Sequence, residues 1–283
     1  MISEERVEFP ARDGLALGGI LFRPASPAGR ALQIQAAAGV PQQYYAKFAA
    51  FLAGRGFTVL SFDYRGIGRS RPARLRGMRA RMRDWPLLDS AGALDFLERT
   101  TPGERLMVVG HSVGGVSTAL LPQAGRLAAV LMVGAQSGYW RNWPPRRRPG
   151  IWLAVHVAVP LLPRLVGYFP SSRLGFGEDL PKGVALEWAR WCRHPQYLAG
   201  ALGAREAFAR FAAPLRAYVA ADDGFAPPRA AAALLELYSG ARAELRTISP
   251  RDVGADRIGH FGFFRERFRD TLWREAADWL AQR

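Results

Sequence analysis

The sequence predicts an α/β fold: a doubly wound, mostly parallel eight-stranded sheet with an inserted, mainly helical cap. Three observations lead there. Short apolar runs alternate with helical segments on both sides of a long interruption. The interruption itself is rich in proline and tryptophan and loses the alternation. The chain has 283 residues, 49% of them hydrophobic, enough to cover such a sheet on both faces.

The elements follow in order. Residues 7–9 and 15–22 are alternating runs on either side of Arg12-Asp13-Gly14, a turn signal, and read as an opening hairpin. After a loop at 24–29, residues 32–36 form an apolar strand. A helix near 43–53 then carries Phe48, Phe51 and Leu52 on one side. Residues 58–62 are a β-branched and aromatic strand, and residues 89–98 an amphipathic helix with Ala91, Leu94 and Leu97. A strand at 106–109, a helix over 113–124 and a strand at 127–133 continue the series. The rhythm stops after Gly138. From Tyr139 to about Phe211 there are eight prolines and five of the eight tryptophans. It resumes with a strand at 215–221, a helix at 228–238, a strand at 243–248 and a closing helix from about Phe264, where Phe268, Leu272, Ala276 and Leu280 recur every fourth residue. The division is therefore a core in two parts, 1–138 and 212–283, with a cap insertion at 139–211.

Composition narrows the function. The net charge of +15 raises nucleic-acid binding, but Lys47 and Lys182 are the only lysines. Arginine usage of this kind, with many alanines and glycines, reads as a genomic compositional bias, and no nucleic-acid partner is expected. The arginines do cluster: eight fall between Arg65 and Arg83 with no acid until Asp84, and Arg146, Arg147 and Arg148 form a second block. A solvated face is the simpler reading of both, an anionic substrate group or surface the functional one. The polar, mixed-charge N-terminus does not read as a signal peptide. The longest apolar run, 151–169, is broken by His156, Pro160, Pro163 and Arg164, so no stable membrane insertion is expected, and a cytoplasmic location is. One cysteine, Cys192, excludes an intrachain disulfide and fits a reducing compartment. There is no phosphate loop. Gly66-Ile-Gly68 lacks the third glycine of a dinucleotide site, and no His/Cys/Asp cluster has metal spacing, so no cofactor or metal is expected.

The chemistry concentrates at Gly110-His111-Ser112-Val113-Gly114, behind an apolar strand and before a helix. A serine hydroxyl becomes a useful nucleophile when it projects clear of the backbone toward a base. A sharp strand-to-helix turn projects it, and the crowding of that turn requires glycine two positions to either side. The following helix aims its positive end at a developing oxyanion. Of four histidines, His111 sits inside the turn, and His156 and His194 sit in the cap. His260 alone follows the last strand, in a glycine-flanked loop on the carboxyl edge where Ser112 also emerges. The acid that orients it should end a late strand. Asp222 and Asp223, after the strand at 215–221, are both placed for that.

These features together resemble the α/β-hydrolase family over almost the whole chain. The order Ser112, Asp223, His260 is that family's order. Residues 57–70, with Asp63, Arg65, Gly66, Gly68 and Ser70, look like its Asp-X-Arg-Gly-X-Gly-X-Ser segment. Gly259-His260-Phe261-Gly262 resembles the histidine loop of the monoacylglycerol-lipase-like and serine-aminopeptidase-like branch, which includes predicted bacterial hydrolases. The Asp-X-X-X-Pro spacing favours Asp223 as the acid and leaves Asp222 as a turn or capping residue. Relatives usually carry His-Gly-X after the third strand, X giving an oxyanion amide. Here Ala36-Ala37-Ala38-Gly39-Val40 stands instead, so Gly39 takes the glycine's place and the backbone donors are expected at Val113 and Val40. The resemblance implies a small-molecule ester-type substrate, and the function expected is hydrolysis of a carboxylic ester or thioester with an apolar part. The alternatives are amide or peptide cleavage on small substrates, with Glu178, Asp179 or Glu187 gripping an amine, and a non-catalytic binding protein. The cap tryptophans either pack the cap onto the sheet or line an apolar pocket.

Overall fold

The opening hairpin pairs β1 (Ser3–Pro10) with β2 (Ala16–Arg23) antiparallel, from Ser3 opposite Arg23 to Pro10 opposite Ala16. Gly14 makes the turn at φ 85°, a conformation open to glycine. This computed structural model describes residues 1–283. The chain continues through β3 (Arg30–Gln35), β4 (Phe57–Phe62), β5 (Arg105–His111), β6 (Ala129–Val133), a two-residue pair β7 (Tyr168–Phe169) and β8 (Leu180–Pro181), then β9 (Leu215–Ala220) and β10 (Ala243–Ile248). Eight of these form one sheet in the order β1-β2-β4-β3-β5-β6-β9-β10, parallel from β4 onward. Every residue of β4 and β6 is buried, which is why those strands show no polar alternation in sequence.

The helices are α1 (Ala46–Ala53), α2 (Ala91–Thr100), α3 (Val113–Val116), α4 (Arg148–Leu153), α5 (Val159–Val166), α6 (Lys182–Arg193), α7 (Tyr197–Ala201), α8 (Arg205–Ala209), α9 (Pro228–Leu235), α10 (Gly259–Gly262) and α11 (Arg274–Ala281). Around the sheet, α1 packs on β4, α2 on β3, α9 on β9 and β10, and α11 on β6. Between β6 and β9 the chain adds no strand to the main sheet and builds α4 to α8 with the small β7–β8 pair. That segment shares the principal hydrophobic cluster, to which it gives Trp191, Tyr197 and Leu198, all fully buried. Burying side chains of this size contributes about 2 to 3 kcal/mol each, so the segment and the sheet are held as one packed unit.

Two expectations need correcting. The helix predicted over 113–124 stops at Val116 and passes into a single 3₁₀ turn at Thr118–Leu120. Ser117 and Thr118 donate their hydroxyls to the carbonyls of Val113 and Gly115, at 3.0 and 2.9 Å, competing with the helical ladder. Pro122 then removes a donor that continuation would need. The arginine stretch, in turn, is not simply a solvated face. Arg65 is buried and donates to Asp13 and Asp89, Arg71 faces Glu178 and Asp179, and Arg83 pairs with Glu187.

Candidate active site

The turn between β5 and α3 has the geometry its glycines require. Ser112 sits at φ 52°, ψ −121°, a strained conformation for a residue with a side chain. A Cβ at Gly110 would come within 2.3 Å of the Gly115 Cα, and one at Gly114 within 2.4 Å of the Gln35 carbonyl oxygen. Close packing of β3, β5 and α3 is thus bought with missing side chains, and it throws the serine out at the carboxyl edge of the sheet. The Ser112 amide donates to the Val133 carbonyl at 2.8 Å, tying the turn to the end of β6.

His260 arrives from the other side. A Cβ on Gly134, the residue after Val133, would lie 3.1 Å from both Cε1 and Nδ1 of its ring, so the imidazole rests against that backbone beside the serine turn. Its Nδ1 is 2.8 Å from Asp223 Oδ2, and both side chains are almost wholly buried. Asp223 Oδ1 accepts the amides of Phe225 and Ala226, each at 2.8 Å, which fixes the carboxylate's plane. Asp222 takes the amides of Ile258 and Gly259 at 3.1 and 3.0 Å and so clamps the start of the histidine loop. Neither the Ser112 hydroxyl nor His260 Nε2 hydrogen-bonds to another protein group.

What His111 and Tyr45 do is visible only in the folded chain. The Tyr45 hydroxyl accepts the Ala37 amide at 2.9 Å and lies 2.8 Å from His111 Nδ1, while His111 Nε2 lies 3.0 Å from the His260 carbonyl oxygen. With its acceptor side facing Ala37, the tyrosine donates its proton to Nδ1, which leaves Nε2–H to donate to the carbonyl. Complete burial holds the His111 pKa well below the ordinary 6.5, consistent with a neutral ring. Three segments, the loop after β3, the serine turn and the histidine loop, are pinned by this one chain. Burial pushes the Tyr45 hydroxyl well above its usual value, so it stays protonated.

Val40 cannot serve in the role expected of it. Ala37 to Val40 form a turn with Gly39 at φ 72°, in which the Val40 amide donates to the Ala37 carbonyl at 3.2 Å. The amides of Ala38, on the same turn, and of Val113, the first residue of α3, donate to no protein acceptor. Asp63 holds the preceding framework by accepting the amides of Gln42 and Arg69 at 2.8 and 2.9 Å, and burial raises its pKa.

Two exposed rings border this edge. Phe225 lies 5.3 Å from the His260 ring and 5.8 Å, edge-on, from Phe176. The segment carrying Phe176 is tied down by the Glu178 amide, which donates to the Gly39 carbonyl at 2.7 Å, and by the Glu178 carboxylate on the Gly68 amide at 2.9 Å.

Residues 41–172 match the family model described as serine aminopeptidase, S33. Among solved structures, an esterase of Pyrococcus furiosus superposes with a TM-score of 0.65 at 14% identity, covering 99% of this chain and 91% of that one. A monoacylglycerol lipase of Paleococcus ferrophilus gives 0.60 at 16% identity, covering 99% of each chain. The esterase domain of a Rhodothermus marinus protein gives 0.59 at 18% identity, again covering 99% of each. No curated protein matches the sequence.

Proposed function

We propose, from the α/β-hydrolase fold this chain shares with solved esterases, that it cleaves a carboxylic ester or thioester with an apolar part through an acyl-enzyme on Ser112. The supporting observation is the 2.8 Å contact between His260 Nδ1 and Asp223, with the other ring nitrogen uncommitted beside the serine turn. Asp223 fixes the tautomer that leaves Nε2 as the base and stabilises the imidazolium that forms. His260 removes the Ser112 proton as the hydroxyl attacks the carbonyl carbon, then returns it to the leaving alcohol or thiol. Water, activated by the same ring, releases the acid. The tetrahedral oxyanion is met by the Val113 and Ala38 amides, two donors with no partner in the resting protein. Residues 139–211 act as a cap over a core of 1–138 and 212–283, and Phe176 and Phe225 give the mouth an apolar rim.

Amide cleavage anchored by a substrate amine is less well supported. Of the acids that would grip it, Glu178 and Asp179 face Arg71, and Glu187 is paired with Arg83. The reading is tested with a fluorophosphonate probe and a series of p-nitrophenyl esters. Wild type should be labelled and Ser112→Ala should not, with turnover rising as the acyl chain lengthens beyond acetate. A folded wild type that takes no label, or activity that falls steadily with chain length, would overturn it.

A further inference from the structure

The segment Pro145–Val166 is long and apolar enough to cross a bilayer by length and composition, yet one of its sides is already committed to the protein. Val155, Val159 and Pro163 are buried, and Val159 packs against Ala185 and Ala189 of α6. The opposite side is bare. Leu153, Val157, Leu161 and Leu165 follow one another at four-residue spacing, on one stripe of the helix, and are 54, 41, 50 and 70% exposed; Trp152 beside them is 43% exposed. A contiguous apolar stripe of this size on a surface marks a docking face.

Charge says what docks there. From Tyr139 to Gly177 the chain has six arginines, Arg141, Arg146, Arg147, Arg148, Arg164 and Arg173, and neither aspartate nor glutamate. At the far end of the helix, Arg76 donates to the Val166 carbonyl at 2.8 Å, which brings a second basic segment with the exposed Arg74 and Arg79 alongside. At the near end, Arg147 donates to the Gly224 carbonyl at 3.1 Å, one residue from Phe225 at the rim of the candidate active site. An apolar stripe bounded by unopposed arginines matches a lipid surface carrying negative headgroups: the stripe enters the headgroup and acyl boundary while the guanidinium groups meet phosphate.

We propose that this face docks the protein on anionic membrane surfaces, with Pro145–Val166 lying in the plane of the interface and not crossing it. The site's mouth then opens beside that plane. The proposal does not depend on the hydrolytic reading, because its readout is binding.

Co-sedimentation with phosphatidylcholine vesicles, with and without phosphatidylglycerol, tests it on wild type and on Ser112→Ala. Both should bind only the anionic vesicles and should be released by high salt. Replacing Arg146 or Arg164 by glutamine should weaken binding roughly fivefold each, and the pair Leu161→Glu with Leu165→Glu should lower it at least about tenfold. These four side chains are exposed, and unchanged thermal unfolding will show that the variants fold. No binding to anionic vesicles at low salt, equal binding to neutral ones, or wild-type binding by the leucine pair would overturn the proposal. So would a stable dimer in solution that the leucine pair converts to monomer, since a second copy would then cover the stripe.

Discussion

Asp222 and Asp223 are neighbours in sequence that hold different parts of one loop. Asp222 takes the Ile258 and Gly259 amides, and Asp223 takes the His260 ring. Their replacements should separate. Asp223→Asn keeps the shape but presents a donor to Nδ1, and turnover of an ester should fall about 10⁴-fold with little change in KM. Asp222→Asn should cost stability, about 1 to 3 kcal/mol in urea unfolding, with a far smaller loss of turnover. If Asp222→Asn alone abolishes turnover, the roles are reversed.

Tyr45 carries no reacting atom, so its removal tests positioning. Tyr45→Phe leaves the Ala37 amide and His111 Nδ1 without their partner in a fully buried place. Unfolding midpoints should drop by about 1 to 3 kcal/mol equivalent. The loss of kcat should exceed any change in KM, because the loop of Ala38 loses its tether and the His111 ring that holds the His260 carbonyl loses the partner that orients it. An unchanged kcat in a destabilised protein would confine Tyr45 to the fold.

A pH dependence follows from His111. Its folded pKa lies well below the ordinary 6.5, so below about that pH the unfolded chain binds a proton that the folded chain refuses. Stability is therefore present in full above that value and lost on acidification toward the depressed folded pKa. His111→Gln removes the titrating group and also its hydrogen bonds. Wild type should be the more stable near neutrality, and its advantage should shrink by about pH 5. Urea titrations at the two pH values check this; an advantage that stays constant with pH would count against a buried neutral ring.

Space around two glycines predicts opposite outcomes. Gly114→Ala would place a methyl group 2.4 Å from the Gln35 carbonyl oxygen, and the protein should lose several kcal/mol, roughly 3 or more, or fail to fold. Gly150, in α4, has nothing within 4 Å of the added carbon. Gly150→Ala should raise stability by up to about 1 kcal/mol through helix propensity. Thermal unfolding of the pair reads both.

Legibility in the sequence followed the range of the interactions. The central strands β4 and β6 are readable because burial on both faces leaves them mostly apolar. Ser112 stands out as the candidate nucleophile because its crowded turn requires glycine at 110 and 114, two positions to either side. His260 is reached as the candidate base by elimination among four histidines, and its ring lies 2.8 Å from Asp223. What failed was local competition or distant pairing. The hydroxyls of Ser117 and Thr118 shortened α3, a contest that periodicity does not record. The Val40 amide was lost to a turn whose hydrogen bond no composition reveals. The partners of Arg71 and Arg83 lie about a hundred residues away, so both arginines read as free charge. The work of His111 depends on Tyr45 and on the backbone of residue 260, neither near it in sequence.

The bond from the Glu178 amide to the Gly39 carbonyl has a mechanical consequence. The turn that carries the Ala38 N–H lies directly against the strip bearing Phe176, so closely that a Cβ on Gly39 would meet Glu178 backbone at 2.8 Å and one on Gly177 the Gly39 carbonyl at 2.4 Å. In the proposed reaction, a displacement of the aromatic rim would therefore be felt, through the bond from Glu178 to Gly39, at the turn carrying the Ala38 amide.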